Sequence, residues 1–578
     1  MTDPTTPRHA VDRGDRVSVP SLLARIEDTV GAAIARAFPE LAGADPVVRR
    51  SEHADFQSNA ALAAARNARR PPGEVADRIV DALAGTDVTA TVSGPGFINI
   101  GASDATIWAQ LENRLTTPHL GIAATEYGRR TVVDYSGPNI AKEMHVGHLR
   151  TTIIGDALAR ILDFLGADVV RQNHLGDWGT QFGMLIQYLD EHPDAAWHHE
   201  QLGPDTSTIS ALDRLYRTAR AEFDADPHFA ARARERVVAL QAGDPRTVAT
   251  WRDIVAESEF AFQGIYARLG ILLDAGDADG ESSYNGDLPG LVADLTDAGI
   301  ATPSDGALVC HSAHTTGQDG SPVTLMVRKT DGGYGYGATD LATIRHRIRD
   351  LKADRILYVV DSRQALHFQL VFEVARRAGW LTDRTEVAHV TFGMVLGSDG
   401  RPFKTRSGQT VRLVDLLDAA VARAGEERTG IGAVKYADLS TSRTKDYLFD
   451  ADRMVSLSGN TSVYLQYAHA RIVSILRKAT SEPAIDPTRP LHPAERALAL
   501  ALDAFGDTLT EVAHLLEPHR LCAYLYDLAR AFTYFYQDCP VLAAPPPVRA
   551  NRLALCQLTA RTLSTGLGLL GIAAPERM

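Results

Sequence analysis

Two histidines three positions apart carry the clearest chemical signal in the sequence. His145 and His148 flank Gly147, and Lys142 lies just upstream. If a helix begins here, both imidazoles lie on one face, one turn apart, and Gly147, which has no Cβ, lets a flat ring such as adenine approach the backbone. The N–H groups and dipole of a helix N-terminus favour anions. The segment therefore suits a nucleoside triphosphate whose α-phosphate is attacked by a carboxylate, because the negative charge that grows there needs preorganised donors.

A metal site and an unrelated structural pair are the alternatives for these histidines. No third ligand lies nearby at a suggestive spacing, so the sequence predicts no protein-bound metal. The four cysteines, Cys310, Cys522, Cys539 and Cys556, form no C-x-x-C pair and indicate neither zinc nor a disulfide framework. We expect them to be reduced.

The elements around the histidines indicate a parallel, doubly wound sheet. Short β-branched or apolar runs at 131–136 and 167–171 predict buried strands on either side of a helix at 146–165. This strand–helix–strand order is the opening of such a sheet. Residues 355–360 and 386–392 supply later strands.

Pattern and composition divide the chain into four segments. These are a flexible extension at 1–19, a small α/β domain at 20–125, a catalytic domain at 126–432 with an insertion at about 188–301, and a helical bundle at 433–578. In the first domain we predict helices at 22–37, 58–69 and 73–84 and a strand at 88–93, and in the bundle helices at 462–479, 493–516 and 520–536.

Charge and hydropathy argue against a general nucleic-acid coat protein and against a membrane-spanning protein. The formal net charge of −13 argues against a general nucleic-acid coat, since phosphate binding needs clustered Lys and Arg. Acids and bases are roughly balanced in 441–578, so a large RNA can meet a locally neutral or basic face. No apolar run approaches the roughly 20 residues of a membrane helix, and residues 1–17 lack the apolar core of a signal peptide. We expect a cytoplasmic protein with no membrane partner.

The sequence around the histidines also carries a family resemblance. His-Val-Gly-His resembles the HIGH signature of class I aminoacyl-tRNA synthetases, and residues 136–150, Ser-Gly-Pro-Asn-Ile-Ala-Lys-Glu-Met-His-Val-Gly-His-Leu-Arg, resemble its arginyl-specific form. Segments typical of arginyl enzymes follow in family order at 176–183, 331–342, 358–368, 392–408 and 456–470. The resemblance extends from about residue 20 to the end of the chain. It implies an α/β multidomain protein with a Rossmann-type catalytic domain, an N-terminal domain that touches the tRNA elbow and a C-terminal anticodon-binding bundle.

The resemblance implies the family's two-step reaction. Arginine would attack the α-phosphate of ATP to give arginyl-adenylate, and the arginyl group would then pass to the terminal adenosine of tRNA(Arg). ATP with Mg²⁺ would be a substrate, no tightly bound cofactor is expected, and the protein would be a monomer that needs bound tRNA before it forms adenylate. Tyr464 and Tyr467 are the anticodon candidates, because unstacked bases bind aromatic rings.

An arginine pocket needs acceptors for a planar fork of five donors that stays charged at neutral pH. By resemblance, six residues match arginine contacts or neighbouring positions of the family: Asp134, Ser136, Asn139, Tyr336, Asp340 and Gln364. Tyr336 and Asp340 are four apart, so on a helix they face the same way. Asp340 is expected to carry the guanidinium charge. Taken singly, these residues have structural alternatives, such as a helix cap, a loop amide or a packing side chain.

One segment departs from the class I pattern. Where the class carries KMSKS, this chain has Lys404-Thr-Arg406-Ser-Gly, so Lys404 can serve as the first lysine and no lysine occupies the second position. Arg406 is an alternative donor. We expect Lys142 to compensate by clamping the triphosphate together with Lys404, with Mg²⁺ bridging its oxygens.

Three rival functions are compatible with parts of this pattern. An arginyl-synthetase paralogue serving specialised metabolism or resistance would have the same residues. A catalytically inactive tRNA-binding homologue would not need intact His145, Gly147, His148 and Lys404. A small-molecule nucleotidyltransferase would share the histidine motif but would not need the C-terminal bundle.

Overall fold

The first domain is an antiparallel sheet covered by helices. The computed structural model describes residues 16–202, 208–317, 320–397, 399–401 and 411–578. The elements of this domain are α1 (Leu22–Ala37), β1 (Val48–Arg50), β2 (Phe56–Ser58), α2 (Ala60–Ala68), α3 (Pro72–Leu83), β3 (Val88–Ser93), β4 (Phe97–Ala102) and α4 (Asp104–Thr116). The sheet order is β1-β2-β4-β3. Buried Leu22, Ile26, Val30 and Ala33 form the inner face of α1 at the spacing that a helix requires.

The catalytic domain contains the following elements: β5 (Arg130–Asp134), α5 (Val146–Phe164), β6 (Asp168–Leu175), α6 (Thr180–Glu191), α7 (Thr208–Ala225), α8 (Pro227–Gln241), α9 (Pro245–Leu269), β7 (Ala278–Gly280), α10 (Leu288–Asp297), β8 (Ala301–Ser304), β9 (Ala307–Thr316), β10 (Pro322–Arg328), α11 (Tyr336–Arg349), β11 (Arg355–Tyr358), α12 (Ala365–Arg377), β12 (Glu386–His389) and β13 (Val395–Leu396).

Five of these strands form a parallel sheet in the order β12-β11-β5-β6-β7. The chain adds strands on one side of β5 and later on the other, so β5 and β11 border a topological switch point. Parallel α/β sheets bind their ligands outside the carboxyl ends of the strands at such a point. The ends are in register, with Asp134 of β5 opposite Tyr358 of β11 and Gln172 of β6.

The segment between β6 and β11 differs in part from the predicted insertion. Helices α7, α8 and α9 lie in this segment, and β7 then returns to the edge of the parallel sheet by pairing with β6. Three antiparallel strands in the order β10-β9-β8 then precede α11. The insertion therefore does not run unbroken from 188 to 301.

The C-terminal half is helical. Its elements are α13 (Leu413–Ala424), α14 (Glu427–Leu439), β14 (Tyr447–Leu448), α15 (Ala451–Met454), α16 (Ser462–Lys478), α17 (Pro493–Asp503), α18 (Phe505–Leu515), α19 (His519–Asp538) and α20 (Pro546–Leu569). The helix predicted at 493–516 is two helices that break at Ala504. The predicted domain boundary between 432 and 433 falls inside α14.

Buried ion pairs join the domains. Asp503 of α17 is fully buried and accepts hydrogen bonds from the Leu22 N–H, Gln110 and Arg114 at 2.7 to 2.8 Å, which ties the bundle to the first domain. On α5, buried Arg150 lies 3.3 Å from Asp438 of α14. The helix that follows the two histidines is thus anchored to the helical half of the molecule.

Candidate active site

The histidine pair begins α5 just beyond the switch point. His145 is the N-cap residue, and its Nδ1 accepts a hydrogen bond from the Gly147 N–H at 3.0 Å. The Nδ1 atom of His148 accepts from the His145 N–H at 3.1 Å. The two rings lie together, with centroids 4.0 Å apart. Each side chain therefore satisfies a backbone donor that a helix start leaves unpaired.

This reciprocal capping fixes which nitrogen of each histidine carries the proton. Burial, with the neighbouring His145, lowers the pKa of His148 to about 3. Burial and the charge of Arg363 lower the pKa of His145. Since both rings are neutral at pH 7 and each Nδ1 accepts, the proton of each ring is on Nε2. The pair thus provides two neutral Nε2–H donors.

Gly147 has a steric role in this arrangement. A Cβ at this position would lie 2.7 Å from Cε1 and 2.9 Å from Nδ1 of His145. The His145 ring folds back over the backbone of Gly147, so any larger residue would displace the imidazole. The sequence predicted a close approach to a ligand, whereas the close approach seen in the structure is to His145.

Of the three residues predicted to bind the triphosphate, the structure describes only Lys142. The Nζ atom of Lys142 lies 5.0 Å from the ring centre of Tyr216, on α7 of the insertion. Lys404 and Arg406 lie outside the described residues. The first described residue after them, Val411, accepts a hydrogen bond from the Val146 N–H at 3.1 Å. The chain that follows Lys404 and Arg406 is therefore attached to the start of α5.

Asp134 is paired with a cation of the protein itself. Its Oδ2 lies 2.8 Å from a terminal nitrogen of Arg347, which is fully buried. The guanidinium of Arg347 also donates to Gln172 at 2.5 Å, lies 3.7 Å from Asp279 and stacks 4.9 Å from the ring centre of Tyr358. Asp134 thus has a partner within the protein, and its contact with arginine stays a prediction.

Ser136 is likewise engaged inside the fold. Its hydroxyl lies 2.7 Å from the Tyr266 hydroxyl on α9 and accepts from Thr152 of α5 at 3.0 Å. Its φ of 75° places the backbone in the left-handed region, which is unfavourable for a residue with a Cβ. Ser136 therefore shapes the turn after β5, and its contact with arginine stays a prediction.

The other four predicted arginine contacts lie in the loops and helix starts that follow β5, β10 and β11. Asn139 is exposed and pairs with Gly176, where any Cβ would lie 2.3 Å from its Oδ1. Gln364 is exposed and begins α12. Tyr336 begins α11 and is 70% exposed. Asp340 follows one turn later, half-buried, with Oδ2 2.5 Å from Nε2 of His367.

Glu281 is a candidate that the sequence interpretation missed. It begins a short 3₁₀ turn, Glu281–Tyr284, directly after β7. Burial raises the pKa of its carboxyl to about 7; the charge of His174 opposes this rise, and the nearby carboxylates Asp340 and Asp177 add to it. Crowded carboxylates with a raised pKa are typical of a place that receives a cation.

The turn that carries Glu281 is held by Asp177. The carboxylate of Asp177 accepts from the Ser282 N–H at 2.8 Å and from the Ser282 hydroxyl at 2.6 Å. Gly280 allows this approach, because a Cβ there would lie 2.2 Å from Oδ2 of Asp177. The sequence offered only a Gly-Glu-Ser triplet at the end of β7 as a sign of this turn, and β7 is too short to be recognised as a strand from its pattern.

The aromatic residues predicted to bind the anticodon differ in exposure. Tyr467 is 48% exposed. Tyr464 packs edge-on against Tyr526 with ring centres 5.7 Å apart, and Arg530 lies 5.8 Å from the ring centre of Tyr526. Rings with adjacent guanidinium groups are surfaces on which bases stack.

The described residues contain no candidate metal site and no candidate membrane span. In the segments that the structure describes, no group of three His, Cys, Asp or Glu side chains is arranged to hold a metal ion. No helix among the described residues is long and apolar enough to cross a membrane. Each of the four cysteines is buried and makes no disulfide.

Sequence models of three families match the chain in order. They are the arginyl tRNA synthetase N terminal domain at residues 24–101, the tRNA synthetases class I (R) catalytic domain at residues 110–451 and the DALR anticodon binding domain at residues 465–578. An arginine–tRNA ligase of Frankia casuarinae is 69% identical over 97% of this chain and 99% of its own length. One of Streptomyces avermitilis is 51% identical over 97% of this chain and 100% of its own.

Solved structures show the same architecture. The crystal structure of arginyl-tRNA synthetase from Plasmodium falciparum superposes with a TM-score of 0.82 at 28% identity, covering 97% of this chain and 100% of that one. The Thermus thermophilus arginyl-tRNA synthetase gives 0.79 at 27% identity, covering 96% and 100%. The predicted fold class is confirmed: an N-terminal α/β domain, a parallel-sheet catalytic domain and a C-terminal helical bundle.

Proposed function

The chain belongs to the class I arginyl-tRNA synthetase family, and on that premise we propose that it is an arginine–tRNA ligase. It activates L-arginine with ATP and transfers the arginyl group to tRNA(Arg). The observation that carries the proposal is the match of nearly the whole chain to arginine–tRNA ligases. It is supported by a neutral histidine pair at the start of α5 and by two carboxylates, Glu281 and Asp340, of which Asp340 helps to raise the pKa of Glu281. In class I catalysis the histidine pair acts on ATP, and the carboxylates bind the guanidinium of arginine.

In the first step, the α-carboxylate of arginine attacks the α-phosphorus of ATP. A phosphorus–oxygen bond to the carboxylate forms, the bond to pyrophosphate breaks, and pyrophosphate leaves with its electron pair. The Nε2–H groups of His145 and His148 donate to the phosphate oxygens on which charge grows. Donors fixed in advance stabilise that charge without rearrangement, and the backbone hydrogen bonds to each Nδ1 are what fix these two.

Recognition of arginine requires two separated acceptors. The guanidinium is a planar fork, whereas an ammonium is a point charge. Glu281 and Asp340 offer carboxylates on different elements, the 3₁₀ turn after β7 and α11. Tyr336, on the same face of α11 as Asp340, Asn139 and Gln364 provide further polar contacts around the amino acid.

In the second step, the 2′-hydroxyl of the terminal adenosine attacks the arginyl carbonyl. An ester bond forms, the anhydride bond breaks, and AMP leaves. ATP binds together with Mg²⁺. The proposed partners of the ATP phosphates are Lys142, Lys404 and Arg406. Tyr464 and Tyr467 are the proposed anticodon contacts.

The remaining sequence predictions belong to the same proposal. They are the domain limits at 20–125, 126–432 and 433–578, the monomeric state, the dependence of adenylate formation on tRNA, and a cytoplasmic site of action. Their support is the family membership of the whole chain.

ATP–pyrophosphate exchange tests the proposal. The purified chain should exchange labelled pyrophosphate into ATP when arginine and tRNA(Arg) are both present, and replacing arginine by lysine should reduce the exchange strongly. Glu281→Gln keeps the shape of the side chain and removes its charge, so it should lower the arginine-dependent exchange. Absence of arginine-dependent exchange with tRNA present would overturn the assignment.

A further inference from the structure

A cavity lies between the segment that follows the first domain, the end of α5 and the C-terminal bundle. It has a volume of about 430 Å³ and is lined by the 3₁₀ turn Pro118–Gly121, the end of α5 and residues of α16 and α20. The size is within the usual range for small-molecule pockets. The histidine pair begins α5 and this cavity is at its other end, so a helix of 19 residues, about 28 Å long, separates the two.

One wall of the cavity is a row of hydrogen-bond donors on α20. Arg561, Ser564 and Thr565 line it, and their spacing places them on one face of the helix. The guanidinium of Arg561 is oriented by donating to the Leu115 carbonyl. Its other N–H groups make no hydrogen bond within the described part of the chain. Guanidinium and hydroxyl groups together are suited to a phosphate.

The rest of the lining combines aromatic and imidazole groups. Phe164 and His119 line it with their ring centres 5.6 Å apart, and buried His469 lies nearby. Arg16 donates to the Phe164 carbonyl at 2.6 Å and adds positive charge beside His119. No carboxylate lines the cavity among the described residues. The cavity therefore favours an anion that also carries a flat, less polar group.

The backbone of this part of the lining is held in an unusual conformation. His119 and Leu120 have φ values of 51° and 59°. Residues with a Cβ seldom adopt the left-handed region, and two in succession are rarer still. Such conformations persist where the surroundings hold them, and they cluster at ligand sites.

We propose that this cavity binds a nucleotide unit, with its phosphate on Arg561, Ser564 and Thr565 and its base beside Phe164. The unit comes either from a free mononucleotide or from the RNA bound to the protein. The site is separate from the ATP site at the start of α5, and it adjoins both the bundle and the linker to the first domain.

Ser564→Glu tests the proposal with little risk to folding, because Ser564 is exposed. Equilibrium dialysis of the full-length chain with labelled CMP should show binding that Ser564→Glu weakens about tenfold or more, as a like charge beside a phosphate requires. Ser564→Gln, similar in size and neutral, should retain binding. Thr510→Glu, an exposed position of α18 away from the cavity, controls for the change in net charge.

Adding tRNA distinguishes the two sources of the nucleotide. If RNA is the occupant, tRNA displaces CMP, or Ser564→Glu weakens tRNA binding more than Thr510→Glu does. If the occupant is a free nucleotide, CMP binding is sensitive to Ser564→Glu and unaffected by tRNA. Equal CMP and tRNA binding by the native chain and Ser564→Glu, or loss of binding in Ser564→Gln as well, overturns the proposal. Arginine-dependent pyrophosphate exchange, measured in parallel, reports on the active site independently.

Discussion

Arginine binding should depend on pH through Glu281, and Glu281→Gln should abolish that dependence. Burial raises the pKa of this carboxyl to about 7, and the carboxylates of Asp340 and Asp177 contribute. A guanidinium stays charged throughout the range of the assay. Within this ion pair the carboxyl is the group that titrates, so its attraction for arginine is present above pH 7 and is lost as the pH falls.

The size of the effect follows from that pKa. About nine tenths of the carboxyl is ionised at pH 8 and about one tenth at pH 6, so kcat/KM for arginine, which reports the free enzyme, should fall about tenfold, or about 1.4 kcal/mol. Glu281→Gln should be flat over this range. At pH 8 it should lie about 10- to 100-fold below the native chain, since a hydrogen bond to a charged group contributes about 1.5–3 kcal/mol.

Pyrophosphate exchange at saturating ATP and tRNA, with arginine varied from pH 5.5 to 8.5, measures this profile. Glu281→Asp keeps the charge and should keep a pH dependence, which makes it the matched control. His148 cannot cause the change, because its pKa is about 3. A tenfold fall that persists in Glu281→Gln would show that another group titrates and that Glu281 does not bind the guanidinium.

Three further changes test other parts of the site. Gly147→Ala should lower kcat about tenfold or more by displacing the His145 imidazole, a preorganised donor, while the thermal midpoint stays nearly unchanged; an active variant would remove the steric argument. Arg347→Met leaves buried Asp134 unpaired and should lower the free energy of unfolding of the catalytic domain in urea by about 3–5 kcal/mol. The double variant with Asp134→Asn should recover part of this stability. No recovery would contradict the pairing. Lys142→Ala should slow adenylate formation in single-turnover assays about tenfold or more, and a smaller decrease would mean that Lys142 does not replace the missing lysine.

Long, strongly periodic elements were predictable from the sequence. Leu22–Ala37 and Val88–Ser93 have the predicted bounds, and Val146–Phe164 differs from its prediction by one residue. Each carries enough apolar positions for its period to be recognised. By contrast, 493–516 has a helical pattern with no internal Pro, and its one glycine, Gly506, lies inside the first turn of α18 and not at the break at Ala504. Packing of two separate helices, which the local sequence does not encode, decides that break.

The site was predictable where one segment contains all its parts. His145, Gly147 and His148 are adjacent in sequence, so their spacing alone indicated a helix start. Glu281 was missed because Ala278–Gly280 is too short to show a period and joins the sheet only by pairing with β6. The pairing of Asp134 was missed for a related reason, since its partner Arg347 is more than 200 residues away.

The charged side chains near the ends of β5, β6 and β7 form two layers with different roles in cation binding. In the deeper layer, Asp134 and Asp279 face Arg347 and His174. Burial lowers the pKa of His174, but Asp279 and Asp134 raise it to about 9, so it is protonated and this layer is neutral at pH 7. The outer layer has Glu281 and Asp340, and Asp340 is hydrogen-bonded to His367.

The attraction for a ligand therefore comes from the outer layer, while the inner ion pairs hold the ends of β5, β6 and β7 in place. A planar fork can reach two carboxylates on different elements, whereas a single ammonium leaves one of them unpaired in a partly buried setting. Rejection of lysine then rests on the separation of Glu281 and Asp340 rather than on total negative charge. Moving a carboxylate within the pocket, as Asp340→Glu does, should for this reason reduce the preference for arginine over lysine more than it reduces turnover, a comparison that exchange assays with both amino acids can make directly.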